Sequence, residues 1–172
     1  MAGKIRTGFF GGSFNPIHQG HLGLADYLIK NNLLDEIWFV VSPQNPLKPS
    51  ADPEDAKERL EGVKKALAGH PGCKVSDLEL NLPLPSFTVD TLRYASNKYP
   101  SQDFVLVIGG DNLDVFEKWK DYEFLLNNFD IIVYPRPGAT NKIPPGWNRV
   151  TMLKAPLMDI SSTELREKHN FN

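Results

Sequence analysis

A chain of 172 residues with 41% hydrophobic and 23% charged residues fits one domain, long enough to bury roughly 70% of its unfolded surface. Its formal net charge of −2 excludes a generally basic nucleic-acid binder, so an anionic ligand needs a local cluster of positive groups. The single cysteine, Cys73, excludes an intramolecular disulfide and suits a reducing compartment, with a packing role as its ordinary reading.

Residues 1–172 therefore read as one soluble domain, expected in the cytoplasm. Met1 to Phe10 carries no long apolar core or cleavage pattern and leads straight into a strand. The apolar run Ile37 to Val41 is far shorter than the ~20 residues a membrane helix takes. Neither a membrane nor a nucleic acid is expected as a partner. A homo-oligomer is left open.

Ile5 to Phe10, rich in β-branched and aromatic residues and stopped by Gly11-Gly12, reads as the first strand. From Gly20 to Asn31, Leu22, Ala25, Leu28 and Ile29 recur at helical spacing. Ile37 to Ser42 is nearly continuously apolar, as a strand buried on both faces should be. Asp52-Pro53 opens the next helix, with Asp as cap and Pro at the first helical position. Lys74 to Leu80 predicts a weaker strand, and Thr88 to Tyr99 a helix stopped by Pro100. Phe104 to Ile108 is another buried strand that runs into a glycine pair, Gly109-Gly110. Phe129 to Tyr134 and Val150 to Leu153 complete the strands, Arg136 to Trp147 is a Pro/Gly-rich exposed loop, and Ser161 to Lys168 is a short helix. Strands alternating with helices imply an α/β fold: a doubly wound, Rossmann-like parallel sheet with helices on both faces. Ligands of such folds sit beyond the carboxyl ends of the strands, where the strand order switches.

The segment Gly11 to His21 carries the strongest chemical signal. Two glycines after a central strand let the backbone approach a ligand closely. Ser13 and Asn15 form turns, and Pro16 stiffens the exit. His18 and His21 stand three residues apart at a helix start, so both rings can face one site, and Gly20 between them leaves room for a flat group. Imidazoles there can donate to phosphate oxygens while the helix N-terminus attracts the same anion. The alternatives are a surface pair or a metal pair, but the neighbourhood lacks a third ligand, so no metal residue is assigned.

Other segments could converge on that loop. Ser161-Ser162-Thr163-Glu164 has capping-box spacing, and Arg166 lies one turn inside, giving a cradle for outer phosphates. Lys48 sits in the proline-stiffened stretch Pro43 to Pro49, as a phosphate contact or a solvated side chain. Gly109-Gly110-Asp111 either places a carboxylate on a ribose hydroxyl or forms a turn with an N-cap. Trp119 either stacks on a ring or packs in the core.

Together these stretches resemble the nucleotidyltransferase superfamily with an H-x-G-H motif, and within it the bacterial nicotinate-nucleotide adenylyltransferases. The resemblance rests on Gly11 to His21, Pro85 to Leu92, Ile108 to Leu113, Lys118-Trp119, Pro135 to Gly138 and Ile160 to Arg166, in family order over nearly the whole chain. The H-x-G-H motif marks the superfamily, and the stretches around Phe87-Thr88 and from Gly109 to Trp119 narrow it to the nicotinate branch. The resemblance implies ATP and nicotinate mononucleotide as substrates, Mg2+ held mainly through the ATP phosphates, and a dinucleotide plus pyrophosphate as products. It assigns His18, His21, Lys48 and Arg166 to the triphosphate and catalysis. It also places Gly11, Gly12, Ser13, Phe14, Gly20, Gly109, Asp111, Ile160, Ser161, Ser162 and Thr163 around ATP. Asn15, Lys48, Phe87, Thr88 and Trp119 fall to the pyridine nucleotide.

Three departures from the family pattern stand out. Asn45-Pro46-Leu47-Lys48 replaces the usual Pro-Pro-His-Lys, and Asn15 stands where Asp is frequent. The chain also stops soon after Arg166, where relatives continue into another helical stretch, which points to a shortened C-terminus. The nearest rivals keep the chemistry and change the acceptor, to nicotinamide mononucleotide, a pantetheine phosphate, or an alcohol phosphate in cytidylyl transfer. A nucleotide-binding sensor on the same fold is the non-enzymatic alternative.

Overall fold

A computed structural model describes residues 3–14, 17–43, 53–83 and 86–154. Asn15, Lys48, Asp52 and the whole stretch from Ile160 to Lys168 lie outside these residues. The first described elements are β1 (Ile5–Gly12), α1 (Gln19–Lys30), β2 (Glu36–Val41), α2 (Pro53–Ala66) and β3 (Cys73–Ser76). They are followed by α3 (Thr88–Lys98), β4 (Gln102–Gly109), α4 (Gly110–Asp114), α5 (Tyr122–Asn128), β5 (Ile131–Tyr134) and β6 (Val150–Met152).

The six strands form one sheet in the order β3-β2-β1-β4-β5-β6, with every neighbouring pair parallel. Period-two alternation divides the core between the two faces. Phe9, Val40, Phe104, Leu106, Ile108, Ile131 and Val133 pack with Val89, Leu92 and Ala95 of α3, Leu113 of α4 and Leu125 of α5. Phe10, Ile37, Phe39, Val41, Val105, Val107 and Ile132 face the other way, onto Leu24, Ala25 and Leu28 of α1 and Val63 of α2. Because helices cover both faces, the central strands read as unbroken apolar runs, and the doubly wound α/β expectation holds.

β1 and β4 extend up to two residues beyond their expected ranges, and two other strands are shorter than expected for a visible reason. Lys74 to Leu80 is not strand throughout: β3 ends at Ser76, and Leu78–Asn81 forms a turn of 3-10 helix. The Ser76 hydroxyl accepts the Leu78 N–H at 3.1 Å, a local bond that competes with the strand ladder. The strand expected from Phe129 starts at Ile131, because Phe129 caps α5 with its N–H on the Leu125 carbonyl. The short helices α4 and α5 were not anticipated.

This order places the site. β1 and β4 are neighbours at the centre of the sheet, and each ends on a glycine pair or beside one. From β1 the chain turns to α1 on one face, and from β4 to α4 on the other. The connections part there, which opens a crevice at the carboxyl edge.

Candidate active site

Just past β1 the backbone passes through Phe14, whose φ of 48° lies in the left-handed region. A bulky residue rarely adopts this conformation, which costs on the order of 1 kcal/mol or more. Burial of the ring holds it. Phe14 is 5% exposed and packs edge-on against Phe10, at 5.6 Å, and His21, at 5.3 Å. Gly12 makes room for it, since a Cβ at that position would stand 3.2 Å from the Phe14 ring. The Phe14 side chain is thus occupied in the core, and it lines neither of the hollows described below. Gly11 is less crowded, because an added Cβ would meet only Phe9, at 3.6 Å.

His18 is the N-cap of α1, and its Nδ1 accepts the Gly20 N–H at 3.1 Å. His21 returns the bond, its Nδ1 accepting the His18 backbone N–H at 3.2 Å. Imidazoles here do the work that a hydroxyl and a carboxylate share in the usual capping box. An Nδ1 that accepts a hydrogen bond carries no hydrogen, so each ring keeps its proton on Nε2. The two rings stack at 3.7 Å, 22° from parallel.

His21 is held neutral. Burial lowers its pKa first, followed by repulsion from His18 and from Arg136, bringing it to about 3 from 6.5. Protonation would also turn Nδ1 into a donor facing the His18 N–H and break the cap. The folded state therefore resists a proton that the unfolded chain accepts readily below its ordinary value of 6.5. This contribution to stability is present above pH 6.5 and declines as pH falls toward 3, by at most about 1.4 kcal/mol per pH unit. Denaturant titrations at pH 7 and pH 5 should show wild type losing about 2 kcal/mol more than His21→Gln over that interval. Equal losses in the two proteins would show that His21 titrates normally.

At the end of β4, the glycine pair is required by its neighbours. A Cβ on Gly109 would lie 2.6 Å from Asp111 Oδ1 and 3.1 Å from Arg136 Cγ, and one on Gly110 would lie 2.0 Å from Asn141 Oδ1. That Asn141 side chain clasps the loop after β5, accepting the Arg136 N–H at 2.9 Å and donating to the Arg136 carbonyl at 3.0 Å. The Thr140 backbone N–H in the same loop donates to Asp114 of α4 at 3.0 Å. The loop from Arg136 to Trp147 is irregular, as expected, but it is tied to α4 at these points.

Arg136 is the residue that sequence reasoning passed over. Its Nε lies 3.9 Å from the exposed Asp111 carboxylate, and its charge reaches His21. The stretch Pro135 to Gly138 had signalled family membership, yet no role had been attached to its cation.

A cavity of about 320 Å³ opens at the crevice, lined by Gly11, Gly12, Ser13, Thr88, Trp119 and Tyr134 among others. A neighbouring hollow of about 280 Å³ is bounded by Ser86, Phe87, Thr88, Lys118, Trp119 and Lys120. Five residues assigned from sequence to two ligands thus share one cleft: Gly11, Gly12, Ser13, Thr88 and Trp119. Phe87 joins them through the second hollow. His18, Gly20, His21, Gly109 and Asp111 do not line either hollow; the first three belong to the start of α1 and the last two to the turn from β4 into α4. Trp119 packs on Phe116 at 4.8 Å, as its core alternative has it, and also bounds both hollows.

Two further groups in the cleft were not anticipated. Glu79 sits in the 3-10 turn, where burial raises its pKa while the Thr91 hydroxyl donates to it at 3.1 Å. The Ser86 hydroxyl is buried without a hydrogen-bond partner among the described residues. Such an orphan is a polar atom ready for a ligand. Among the described residues no group of three His, Cys, Asp or Glu side chains could hold a metal ion, and no helix there is long and apolar enough to cross a membrane.

Comparison with known proteins agrees with this architecture. The cytidylyltransferase-like family model matches residues 9–168. A Cytophaga hutchinsonii protein named "Probable nicotinate-nucleotide adenylyltransferase" is 46% identical over 162 residues, covering 94% of this chain and 84% of its own. A Bacteroides fragilis protein of the same name is 46% identical over 167 residues, covering 95% and 82%. The fold matches the Plasmodium falciparum nicotinic acid mononucleotide adenylyltransferase complexed with NaAD, with a TM-score of 0.75 at 21% identity over 95% of this chain and 83% of that one. By sequence over nearly its whole length, the chain belongs to the nicotinate-nucleotide adenylyltransferases of the cytidylyltransferase-like family.

Proposed function

We propose that the protein transfers AMP from ATP to nicotinate mononucleotide, giving nicotinate adenine dinucleotide and pyrophosphate. The observation that carries this reading is the pair of imidazoles at the start of α1, both with Nδ1 committed to backbone N–H groups, beside a cleft at the switch in strand order. Such rings are preset hydrogen-bond donors through Nε2, and the nearby Arg136 adds positive charge.

The 5′-phosphate of the acceptor attacks the α-phosphorus of ATP in line. A new P–O bond forms, the bond to the bridging oxygen of the β-phosphate breaks, and pyrophosphate leaves with that electron pair. The attacking phosphate is already ionised near neutral pH, so no general base is required. Catalysis then consists of positioning and of neutralising charge that builds on the α-phosphate and the leaving group. His21 donates to the α-phosphate, with His18, Lys48 and Arg166 holding the rest of the triphosphate. The backbone of Gly11 to Phe14 and Gly20 lies along the nucleotide, and Asp111 beside Gly109 serves the ribose. Ile160, Ser161, Ser162 and Thr163 complete the adenosine side. Asn15, Phe87, Thr88 and Trp119 hold the pyridine nucleotide, and the unpartnered Ser86 hydroxyl offers it one more hydrogen bond.

Mg2+, held mainly through the ATP phosphates, would supply neutralisation of phosphate charge. Imidazole and backbone N–H donors suit the phosphate oxygens, and no residue of the chain is assigned to the cation.

Pyrophosphate release from ATP and Mg2+ tests the reading, with nicotinate and nicotinamide mononucleotides assayed in parallel. Strong release is expected with the nicotinate form and little with the amide. Excess EDTA should stop turnover and leave the melting temperature of the ligand-free protein unchanged. Silence with both acceptors, from folded protein that still binds ATP, would point to another acceptor or to a sensor.

A further inference from the structure

Arg59, on the second turn of α2, is 5% exposed and contributes to neither hollow. Its guanidinium reaches the carboxyl ends of two strands at once. Nη1 donates to the Ser13 carbonyl at 2.9 Å and to the Ser42 carbonyl at 2.7 Å. Nη2 donates to the Pro43 carbonyl at 3.4 Å. Nε is engaged by Asp55, one turn earlier on the same helix, at 2.9 Å. Ser13 begins the turn that delivers Phe14 and the histidine cap, and Ser42-Pro43 begins the connection after β2. The β1–β2 ladder reaches its end there as well, with the Ser42 N–H on the Gly12 carbonyl at 2.8 Å.

Three carbonyls converging on one buried cation need several donors in a fixed plane. Arginine supplies five, and lysine supplies three from a single point. The Asp55 carboxylate balances the buried charge and fixes the plane of the fork, since an unpaired buried charge would be costly.

Resting on the adenylyl-transfer reading above, we propose that Arg59 is a positioning residue for the phosphate-binding turn. It ties Ser13, just past β1, to Ser42 and Pro43, just past β2, so that the donors at the start of α1 are preset for the triphosphate. An error of about 1 Å in such positioning can cost ~10²-fold in rate.

The test compares wild type, Arg59→Gln and Arg59→Lys in the full chain. Wild-type turnover of ATP with nicotinate mononucleotide is measured first, and its absence would overturn the adenylyl-transfer reading alone. Hydrogen exchange at the amides of residues 11–14 and 42 then reports on the loops without relying on activity. Arg59→Gln should exchange faster at these amides and show a kcat/KM for ATP ~10–100-fold lower, through a raised KM for ATP, with KM for the acceptor near wild type. Arg59→Lys should recover part of the loss. Simple destabilisation would lower the apparent kcat and leave both KM values unchanged. That pattern, or unchanged exchange and KM in Arg59→Lys should Arg59→Gln fail to fold, would overturn the proposal.

Discussion

Replacing His21 with alanine is expected to lower kcat by about 10²–10³-fold, the usual effect of removing one preset donor to a developing oxyanion. The same change removes three things that can be separated. The Nε2–H donor bears on the transition state. The Nδ1 acceptor bears on the cap, because the His18 backbone N–H then loses its partner, at a cost of about 1 kcal/mol for a hydrogen bond of this kind. The ring itself fills space between Phe10, Phe14 and His18. Only the first should survive as a rate effect at saturating substrates and at a temperature well below melting. His21→Asn, whose amide can accept from the cap or donate outward, should lie between wild type and alanine. A His21→Ala protein that melts near wild type and keeps its kcat would remove His21 from the chemistry.

The neutrality of His21 sharpens this expectation. With the pKa of His21 brought to about 3, by burial first and with His18 and Arg136 pushing the same way, the free enzyme presents the same donor throughout the neutral range. An acid limb in kcat/KM at pH 5 to 7 would then belong to another group, such as the phosphate of the acceptor.

How much of this was legible in the sequence varied with the range of the interaction. The central strands were clear because Phe9-Phe10 and Phe104 to Ile108 are continuous apolar stretches, which both faces of a covered sheet demand. The pairing of His18 with His21 was clear because their spacing is local. Their mutual capping was not, because histidine is an unusual cap and nothing in the spacing reveals which nitrogen accepts. The strand predicted through Leu80 took in Val75, Leu78 and Leu80, but Val75 and Leu78 are three residues apart and so break the alternation of a strand, and beyond Ser76 the chain enters a 3-10 turn. Helices α4 and α5, with 5 and 7 residues, are too short to show a repeating apolar face. Arg136 was hidden for a topological reason. It is far from His21 along the chain and reaches that region only because β5 is laid beside β4, and β4 beside β1. Arg59 was hidden likewise, being one charged residue in a helix rich in lysine and glutamate, and only the fold shows that it points at three carbonyls.

Phe116→Ala is expected to give the largest loss of stability together with a selective loss of acceptor affinity. Phe116 is fully buried between Trp119 at 4.8 Å, Trp147 at 5.9 Å and Tyr122 at 6.4 Å. Truncating such a ring removes its burial and leaves a cavity, at about 3–5 kcal/mol, a large share of the roughly 5–15 kcal/mol that holds a domain together. For a chain of this size the melting temperature should fall by roughly 6–20 °C. The functional effect follows from what Phe116 supports. Trp119 is only half-buried and borders both hollows, so without Phe116 behind it the indole has room to retreat from the proposed pyridine site. KM for nicotinate mononucleotide should rise several-fold while KM for ATP, whose proposed site lies across β1 and α1, stays near wild type, and tryptophan emission should shift to the red. If both KM values hold while the protein melts early, Phe116 is a core residue only and Trp119 is positioned by the remainder of its contacts.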